Sequence, residues 1–307
     1  MTPKRDFLAL SDFSPGELAA LLALAVELKR GGSDGRSLAG RSVGLLFAKR
    51  STRTRVSFEV GAHQLGAHPI FLSAQDSQLL RGEPLRDTAR VLSGYLDALV
   101  IRTGPHADAE ELARYATVPV INGLTDLLHP CQVLADLLTV REALGRWEGK
   151  KVAWVGDGNN VANAWIDAAG LLGFELRLAC PEGYEPDRGI FERNAGRTRL
   201  VITEEPEEAV EGADVVSTHA WASRGPEEEA DGRRQAFKGY TVTSALLELA
   251  APGAIFLHCL PAHRGEEVEE AVLEGPQSRV WEEAENRLHV QKALLVKLVN
   301  GGRLDGC

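Results

Sequence analysis

The sequence predicts an α/β protein made of two domains, each a parallel β-sheet flanked by helices. Short apolar segments of strand length alternate with longer amphipathic segments along most of the chain, which is the pattern of parallel sheets covered by helices. The 307 residues and the hydrophobic content of 44% are sufficient for two cores of ordinary size. Open sheets of this kind bind ligands beyond the carboxyl ends of their strands, so residues that follow a strand are the first candidates for function.

Nine segments have the length and the apolar character of strands. They are residues 42–48, 68–73, 96–102 and 118–122 in the first half, and 151–156, 175–180, 199–203, 214–218 and 254–259 in the second half. The pattern between and after them predicts a helix over 130–144 and a last helix over about 284–298. The charged residues 146–150 predict a domain junction, and the polar residues 223–234 predict a loop because they have little periodicity.

The composition excludes several classes of function. A formal net charge of −10 disfavours a nucleic acid or an anionic membrane as partner. The sequence has no apolar run of about 18 residues and no signal peptide at its N-terminus, so we expect a cytoplasmic protein without a membrane span. No residue spacing indicates a metal site. The cysteines are far apart, which favours reduced thiols over a zinc site or a disulfide framework; they are Cys131, Cys180, Cys259 and Cys307.

Residues 51–55, Ser-Thr-Arg-Thr-Arg, lie between an apolar strand and the start of a helix. Free backbone N–H groups and the helix dipole favour an anion at this position, and guanidinium groups match the oxygens of a phosphate. Basic residues in a first turn oppose the dipole unless an anion is bound there. The segment therefore favours a phosphate-ester site, and a capped helix with a solvated basic first turn is the alternative.

Other polar residues end predicted strands or begin helices, and each has an ordinary structural alternative. Arg102 is interpreted either as a ligand or as a solvated charge, and His129 either as a ligand or as a residue that merely precedes a helix. His258 and Cys259, in an apolar strand, are typical of a buried core histidine and an inert thiol. Gly156-x-Gly158 begins like a dinucleotide fingerprint but lacks its third glycine, so a nicotinamide cofactor is poorly supported.

The joint pattern is far more specific than any single part. It resembles the aspartate/ornithine carbamoyltransferase family over nearly the whole chain, and most closely its ornithine branch. The H-C-L-P sequence and the pair Asn159-Asn160 favour ornithine over aspartate as the acceptor. The motifs that carry the resemblance are, in chain order, residues 51–55, Arg102, His129-Pro130-Cys131-Gln132, His258-Cys259-Leu260-Pro261 and Arg287.

The resemblance implies transfer of the carbamoyl group from carbamoyl phosphate to the δ-amine of L-ornithine, giving L-citrulline and phosphate without a metal or an organic cofactor. It implies a carbamoyl-phosphate domain over 1–131, a linking helix over 132–149, an ornithine domain over 150–283, and a C-terminal helix, about 284–307, that returns to the first domain. The active site would lie in the cleft between the domains, and the chains would form homotrimers or multiples of trimers. A nicotinamide-dependent oxidoreductase and a non-catalytic relative that binds carbamoyl phosphate are the alternatives from other classes.

The resemblance also assigns roles to residues. Arg102 and His129 would act on the carbamoyl oxygen, and Cys259 would lie near the attacking amine, so these three are the catalytic candidates. Gln78 would reach the phosphate from a neighbouring subunit, and Arg287 would return to the site from the start of the last helix. The complete set for carbamoyl phosphate is Ser51, Thr52, Arg53, Thr54, Gln78, Arg102, His129, Gln132, Cys259, Leu260 and Arg287.

The acceptor loop departs from the family pattern. The ornithine branch carries Thr-Asp-x-Trp-x-Ser-Met-Gly where residues 218–225 read Thr-His-Ala-Trp-Ala-Ser-Arg-Gly, so His219 and Arg224 replace an aspartate and a methionine. In the family that aspartate binds the α-ammonium of ornithine, and a neutral imidazole supplies no negative charge. We expect the acceptor to contact Asn160, His219, Ser223 and Arg224. An acceptor such as an α-N-blocked ornithine is the alternative.

Overall fold

The computed structural model describes residues 4–32, 35–74, 78, 82–221 and 227–300. The chain forms two compact units, Met1–Ala135 with Asn286–Cys307, and Asp136–Glu285. Each unit contains one parallel sheet flanked by helices, which confirms the predicted α/β fold class. The domain boundaries deduced from the resemblance stay a prediction.

Unit 1 is built on a four-stranded sheet with the strand order β2-β1-β3-β4. Its strands are β1 (Ser42–Phe47), β2 (His68–Ser73), β3 (Ala98–Arg102) and β4 (Val120–Leu124). Its helices are α1 (Pro15–Lys29), α2 (Arg53–Gln64), α3 (Leu85–Ser93) and α4 (His106–Tyr115), and a short 3-10 helix, Leu10–Asp12, precedes them. The chain leaves this unit within α5 (Pro130–Leu144) and returns to it within α12 (Val280–Val299).

Unit 2 is built on a five-stranded sheet with the strand order β7-β6-β5-β8-β9. Its strands are β5 (Lys151–Val155), β6 (Glu175–Ala179), β7 (Leu200–Thr203), β8 (Val215–Thr218) and β9 (Ile255–His258). Its helices are α6 (Asn160–Leu172), α7 (Arg188–Asn194), α8 (Pro206–Val210), α9 (Glu227–Ala236), α10 (Ser244–Leu247) and α11 (Glu270–Leu273). All nine predicted strands are therefore present in the two sheets.

The central strands are continuous apolar segments because helices cover both faces of each sheet. Five of the six residues of β1 are buried, and so is every residue of β8 and β9. Gly44 in β1 leaves room for a neighbouring side chain, since a Cβ at this position would lie 2.4 Å from Leu96 Cδ1. These buried strands fix the positions of the polar residues that follow them. Within the described part of the chain, no helix combines the length and the apolar composition needed to cross a membrane.

Two predicted elements are corrected by the structure. Residues 227–236 form α9, although 223–234 was predicted to be a loop; residues 222–226 lie outside the described part. The last helix begins at Val280, four residues before the predicted start, so Arg287 lies in its interior and not at its start. The predicted helix over 130–144 is present with the same limits, because Pro130 occupies the first helical position and Gly145, at φ 80°, ends the helix.

Candidate active site

In unit 1 the candidate residues lie at the topological switch point of the sheet, where the chain turns from β1 to one side and from β3 to the other. The strands β1 and β3 are neighbours, and their register pairs Phe47 with Arg102. The Ala48 N–H donates to the Arg102 carbonyl oxygen at 2.8 Å, which keeps the two strand ends together. Such a switch point opens a crevice at the carboxyl ends of the strands.

Residues 51–55 form the entry to α2. Ser51 Oγ accepts a hydrogen bond from the Thr54 N–H at 3.2 Å, while the first turn of the helix contains no acidic residue. The positive end of the helix dipole is therefore not offset by a carboxylate of its own first turn, a condition that favours a bound anion. A cavity at this position is lined by Phe47, Ala48, Lys49, Arg50, Ser51, Thr52, Arg55, Phe71 and Ser73.

The two arginines of this segment have different surroundings. Arg55 is 3.6 Å from the centroid of the Phe71 ring, and its Nε donates to Glu59 at 3.0 Å. Arg53 is exposed in the first turn of α2. Arg53 is thus available to a ligand at the helix N-terminus, whereas Arg55 forms part of the wall of the cavity.

One hydroxyl group joins three of the predicted residues in a cluster, and Arg287 joins a fourth, Gln132, to them. Thr54 Oγ1 accepts a hydrogen bond from Arg287 Nη2 at 2.7 Å and a longer one from Arg102 Nη1 at 3.4 Å. Arg287 Nη1 donates to Gln132 Oε1 at 2.8 Å. Thr54, Gln132 and Arg287 are almost fully buried. Two guanidinium groups on one hydroxyl concentrate positive charge in a desolvated position, which favours a negatively charged or polarisable ligand.

His129 is buried and lies directly before α5, close to the end of β4. Its carbonyl oxygen accepts a hydrogen bond from the Gln132 N–H at 3.1 Å, so the histidine and the glutamine share the first turn of the helix. Cys131, between them, is fully buried; burial raises the pKa of its thiol to about 12, which makes it an inert core residue. Gln78 is exposed, and its predicted contact with carbamoyl phosphate stays a prediction.

Unit 2 repeats the arrangement at its own switch point, between β5 and β8. Asn159 caps α6, and its Oδ1 accepts from the Val161 N–H at 2.8 Å. Asn160, the first residue of α6, is buried. His219 is the first residue after β8. The structure therefore places the predicted acceptor residues Asn160 and His219 beyond adjacent strands, while Ser223 and Arg224 lie outside the described residues.

His219 and Cys259 form a thiol–imidazole contact. Cys259 Sγ is 3.1 Å from His219 Nδ1, and both residues are half-buried. The His219 ring also lies edge-on to the ring of His258, with centroids 5.7 Å apart. Cys259 is therefore not the inert buried thiol that its apolar strand suggested. The thiol and the imidazole form a polar contact at the ends of β8 and β9.

A buried carboxylate that sequence reasoning did not identify holds the turn after β9. His258 Nδ1 accepts from the Leu260 N–H at 2.9 Å, so the imidazole proton is on Nε2, which donates to Glu267 Oε1 at 3.1 Å. Burial raises the pKa of Glu267, but hydrogen bonds from His258 and the His263 N–H lower it more, and the net pKa is below the ordinary value. Leu260 is thereby fixed at φ 53°, an uncommon conformation for a leucine.

One group of potential metal ligands occurs among the described residues. His263, Glu266 and Glu267 have ligand atoms within 4.8 Å of one another. Glu267 Oε1 already accepts hydrogen bonds from His258 and from the His263 N–H, so this carboxylate serves the turn after β9. The group gives no independent reason to assign a metal, and the predicted absence of a metal stays a prediction.

Two family profiles match the chain in succession. Residues 5–142 match the description "Aspartate/ornithine carbamoyltransferase, carbamoyl-P binding domain", and residues 148–298 match "Aspartate/ornithine carbamoyltransferase, Asp/Orn binding domain". The chain belongs to the aspartate/ornithine carbamoyltransferase family. Membership in this carbamoyltransferase family confirms the resemblance drawn from residues 51–55, Arg102, His129 and the H-C-L-P sequence.

Relatives of this carbamoyltransferase chain are similar over their full length. An ornithine carbamoyltransferase of Geobacter metallireducens is 57% identical over 300 residues, which are 96% of this chain and 99% of the relative. The solved structure of an ornithine carbamoyltransferase from Pyrococcus furiosus has a TM-score of 0.93 at 49% identity, with 98% of each chain covered. A second solved structure, from Thermus thermophilus, has a TM-score of 0.89 at 44% identity and covers 96% of this chain and 99% of its own.

Proposed function

We propose that this chain transfers the carbamoyl group of carbamoyl phosphate to the δ-amine of L-ornithine, giving L-citrulline and phosphate. The observation that carries the proposal is the buried cluster in which Arg102 and Arg287 converge on Thr54, next to the uncompensated N-terminus of α2. This cluster lies in a chain whose close, full-length relatives are ornithine carbamoyltransferases.

The carbamoyl-phosphate half of the reaction is assigned to unit 1. Ser51, Thr52, Arg53 and Thr54 hold the phosphate, because the helix N-terminus and a guanidinium group stabilise its negative charge. Arg102, His129 and Thr54 act on the carbonyl oxygen, and Gln132 orients the carbamoyl amide. Arg287 fixes Thr54 and Gln132 in place through its two hydrogen bonds.

The chemistry needs no cofactor. A neutral δ-amine attacks the carbonyl carbon, and the carbonyl oxygen gains negative charge. The C–O bond to phosphate then breaks, and the departing phosphate accepts the proton that the amine nitrogen loses. Cationic and hydrogen-bonding groups that are already oriented toward this oxygen stabilise the transition state, typically by about 10²–10³ in rate per donor. Holding the two substrates in register supplies a further part of the acceleration. Arg102 and His129 are the residues assigned to the oxygen.

The acceptor half is assigned to unit 2. Asn160 and His219, together with Ser223 and Arg224, bind the amino-acid end of ornithine. Cys259, with the backbone at Leu260, lies near the attacking amine and the carbamoyl amide. The contact between Cys259 and His219 supports a common role, since it joins the ends of β8 and β9.

We also propose that the chain acts in the cytoplasm, in arginine biosynthesis, as a homotrimer or a multiple of trimers in which Gln78 reaches the carbamoyl phosphate of a neighbouring subunit. Exposed apolar side chains on two helices of unit 1 support self-association: Val56 and Val60 on α2 are 49% and 38% exposed, and Val91 on α3 is 50% exposed. Tyr95, just after α3, is 74% exposed.

The deciding assay is citrulline formation from carbamoyl phosphate and L-ornithine, with aspartate and an α-N-acetylated ornithine as competing acceptors. We expect turnover with ornithine and none with aspartate. Faster turnover of the α-N-acetylated acceptor would mean that this compound, and not ornithine, is the preferred substrate, while the carbamoyl-transfer reaction would stay as proposed. Absence of turnover with every amine, in a protein that still binds carbamoyl phosphate, would contradict the enzyme assignment.

A further inference from the structure

Arg233, in α9, connects two segments of unit 2 that lie on either side of the β5/β8 switch point. Its Nε donates to the Trp221 carbonyl oxygen at 2.6 Å, and its Nη2 donates to Asp157 Oδ2 at 2.7 Å. Asp157 lies between β5 and α6, and Trp221 lies three residues after β8. One guanidinium group thus holds both segments by hydrogen bonds in different directions.

The guanidinium is enclosed by aromatic rings. Its central carbon lies 4.8 Å from the centroid of Tyr184 and 5.3 Å from that of Phe237. Phe237 in turn stacks on Trp221, with centroids 4.9 Å apart and ring planes inclined by 9°. The Arg233 and Asp157 side chains are only 15% and 13% exposed. An ion pair this far removed from water is screened little and has a defined geometry.

Gly156, directly after β5, adopts a backbone conformation that residues with a side chain rarely adopt. Gly156 has φ 124°, and a Cβ there would lie 3.4 Å from Trp221 Cδ1 and 3.5 Å from Thr218 Oγ1. Trp154 Nε1 donates to the Asp157 carbonyl oxygen at 3.0 Å, and Thr218 Oγ1 donates to the Val155 carbonyl oxygen at 2.6 Å. These hydrogen bonds fix the two strand ends, and Arg233 fixes the positions of the segments that follow them.

We propose that Arg233 is a positioning residue for the acceptor, one that aligns the segment of Asn160 with the segment of His219. The inference rests on the proposed function, because those two residues are assigned to the acceptor there. Asp157 precedes Asn160 by three residues, and Trp221 follows His219 by two. A lysine cannot replace the arginine, since one ammonium group lacks the planar fork that serves two acceptors at once.

The test compares Arg233→Lys with Arg234→Lys as a matched control. Arg234 is the next residue of α9 and is 53% exposed, with ion-pair contacts to Asp231 and Glu266. For Arg233→Lys we expect the KM for ornithine to rise about tenfold, with kcat within about threefold and the Kd of carbamoyl phosphate within about twofold of the parent, because only acceptor alignment is lost. For Arg234→Lys we expect all three constants to stay within about twofold, because exposed ion pairs contribute little.

Arg233→Ala is not the deciding variant because it leaves the mostly buried Asp157 charge without this partner. Thermal unfolding of Arg233→Lys is measured in parallel. Three results would each overturn the inference, because they indicate no role or a purely structural role for Arg233. They are an unchanged KM for ornithine, a loss of carbamoyl-phosphate affinity as large as the rise in the KM for ornithine, and a failure of Arg233→Lys to fold. A parent protein that forms no citrulline would instead overturn the proposed function, and with it the acceptor role of Arg233.

Discussion

The two units place their candidate residues at the same point of a parallel sheet but hold them differently. In unit 1, Thr54, Gln132 and Arg287 are buried and joined by short hydrogen bonds. In unit 2, His219 and Cys259 are half-buried, and His219 departs from the family pattern. A site for a fixed dianionic substrate demands buried positive charge in a rigid frame. A site for the acceptor, which differs between members of the family, tolerates substitution while the fold around it is retained.

The largest effect is expected in the unit 1 half. Arg53→Ala should weaken carbamoyl-phosphate binding by about 10³, since the phosphate loses a charged, potentially bidentate donor at the helix N-terminus. Titration calorimetry measures this directly. Arg90→Ala is the control, because Arg90 is exposed on α3 and pairs with Asp87 in the same helix. Unchanged affinity in Arg53→Ala would mean that the phosphate does not bind at the N-terminus of this helix, and it would weaken the contrast between the units.

Next in size is the effect on the chemical step. Replacement of Arg102 or His129 by alanine should lower kcat by about 10², with a smaller change in carbamoyl-phosphate affinity, because the carbonyl oxygen gains charge only as the amine attacks. Steady-state kinetics with calorimetry of the same variants separates the two quantities. A variant with native kcat and a raised KM alone would reduce that residue to a binding role.

The substitution Glu267→Gln tests whether the buried carboxylate holds the turn after β9 in unit 2. The folded-state pKa of Glu267 is lowered, so its carboxylate stabilises the folded state above the ordinary carboxyl range, near pH ~4.3, and this contribution is lost as the pH falls through the lowered pKa. We expect the variant to be less stable by about 2 kcal/mol at pH 7 and the difference to shrink below pH ~4. Urea unfolding at several pH values measures it.

Glu266→Gln is the matched control for this measurement. Its carboxylate is 30% exposed and faces Arg234, so its removal should change stability by less than about 0.5 kcal/mol. Equal stability of Glu267→Gln and the control at pH 7 would show that the buried carboxylate does not hold the turn after β9.

The smallest effect concerns the departure of unit 2 from the family pattern. His219→Asp combined with Arg224→Met should tighten ornithine binding by about tenfold, because a carboxylate accepts a charge-assisted bond from the α-ammonium. His258 and Cys259 also face His219, so His219→Asn serves as the control without a carboxylate.

Calorimetric Kd values for ornithine, measured for the parent and for both variants, test this expectation. A double variant that binds ornithine more weakly than the parent, with a parent preference for an α-blocked analogue, would mean that ornithine is not the natural acceptor. The two units would then differ in the packing of their candidate residues, and unit 2 would also differ from the family in the substrate that it binds.

The strands were predictable because a buried strand has a continuous apolar sequence and the polar residues that follow it are easily seen. The helix α9 was not, because its residues carry no apolar period. Arg233 packs against Phe237, one turn further along the chain, and against Tyr184, which is distant in sequence, so a basic residue that is largely buried looks like a solvated one. The helix is therefore specified by tertiary contacts.

The candidate site, too, was predictable only where its residues follow from strand and helix ends. The positions of Arg102 and His129 follow from strand and helix ends, which sequence patterns locate well. Glu267 and Glu283 were missed because glutamates are seldom buried, yet Glu267 binds His258 and Glu283 accepts the His258 N–H at 2.8 Å. Glu283 lies in the first turn of α12, ahead of the predicted start of that helix.

The return of α12 to unit 1 has a consequence for the order in which the two units become complete during synthesis. Arg287 bonds to Thr54, 233 residues away, and Asn300 bonds to the carbonyl oxygen of Ser37, 263 residues away. Unit 2 is continuous and precedes these residues on the ribosome, whereas unit 1 begins first and is completed last. A nascent chain that stalls before Arg287 therefore carries every strand of both sheets but lacks the guanidinium that joins Thr54 to Gln132.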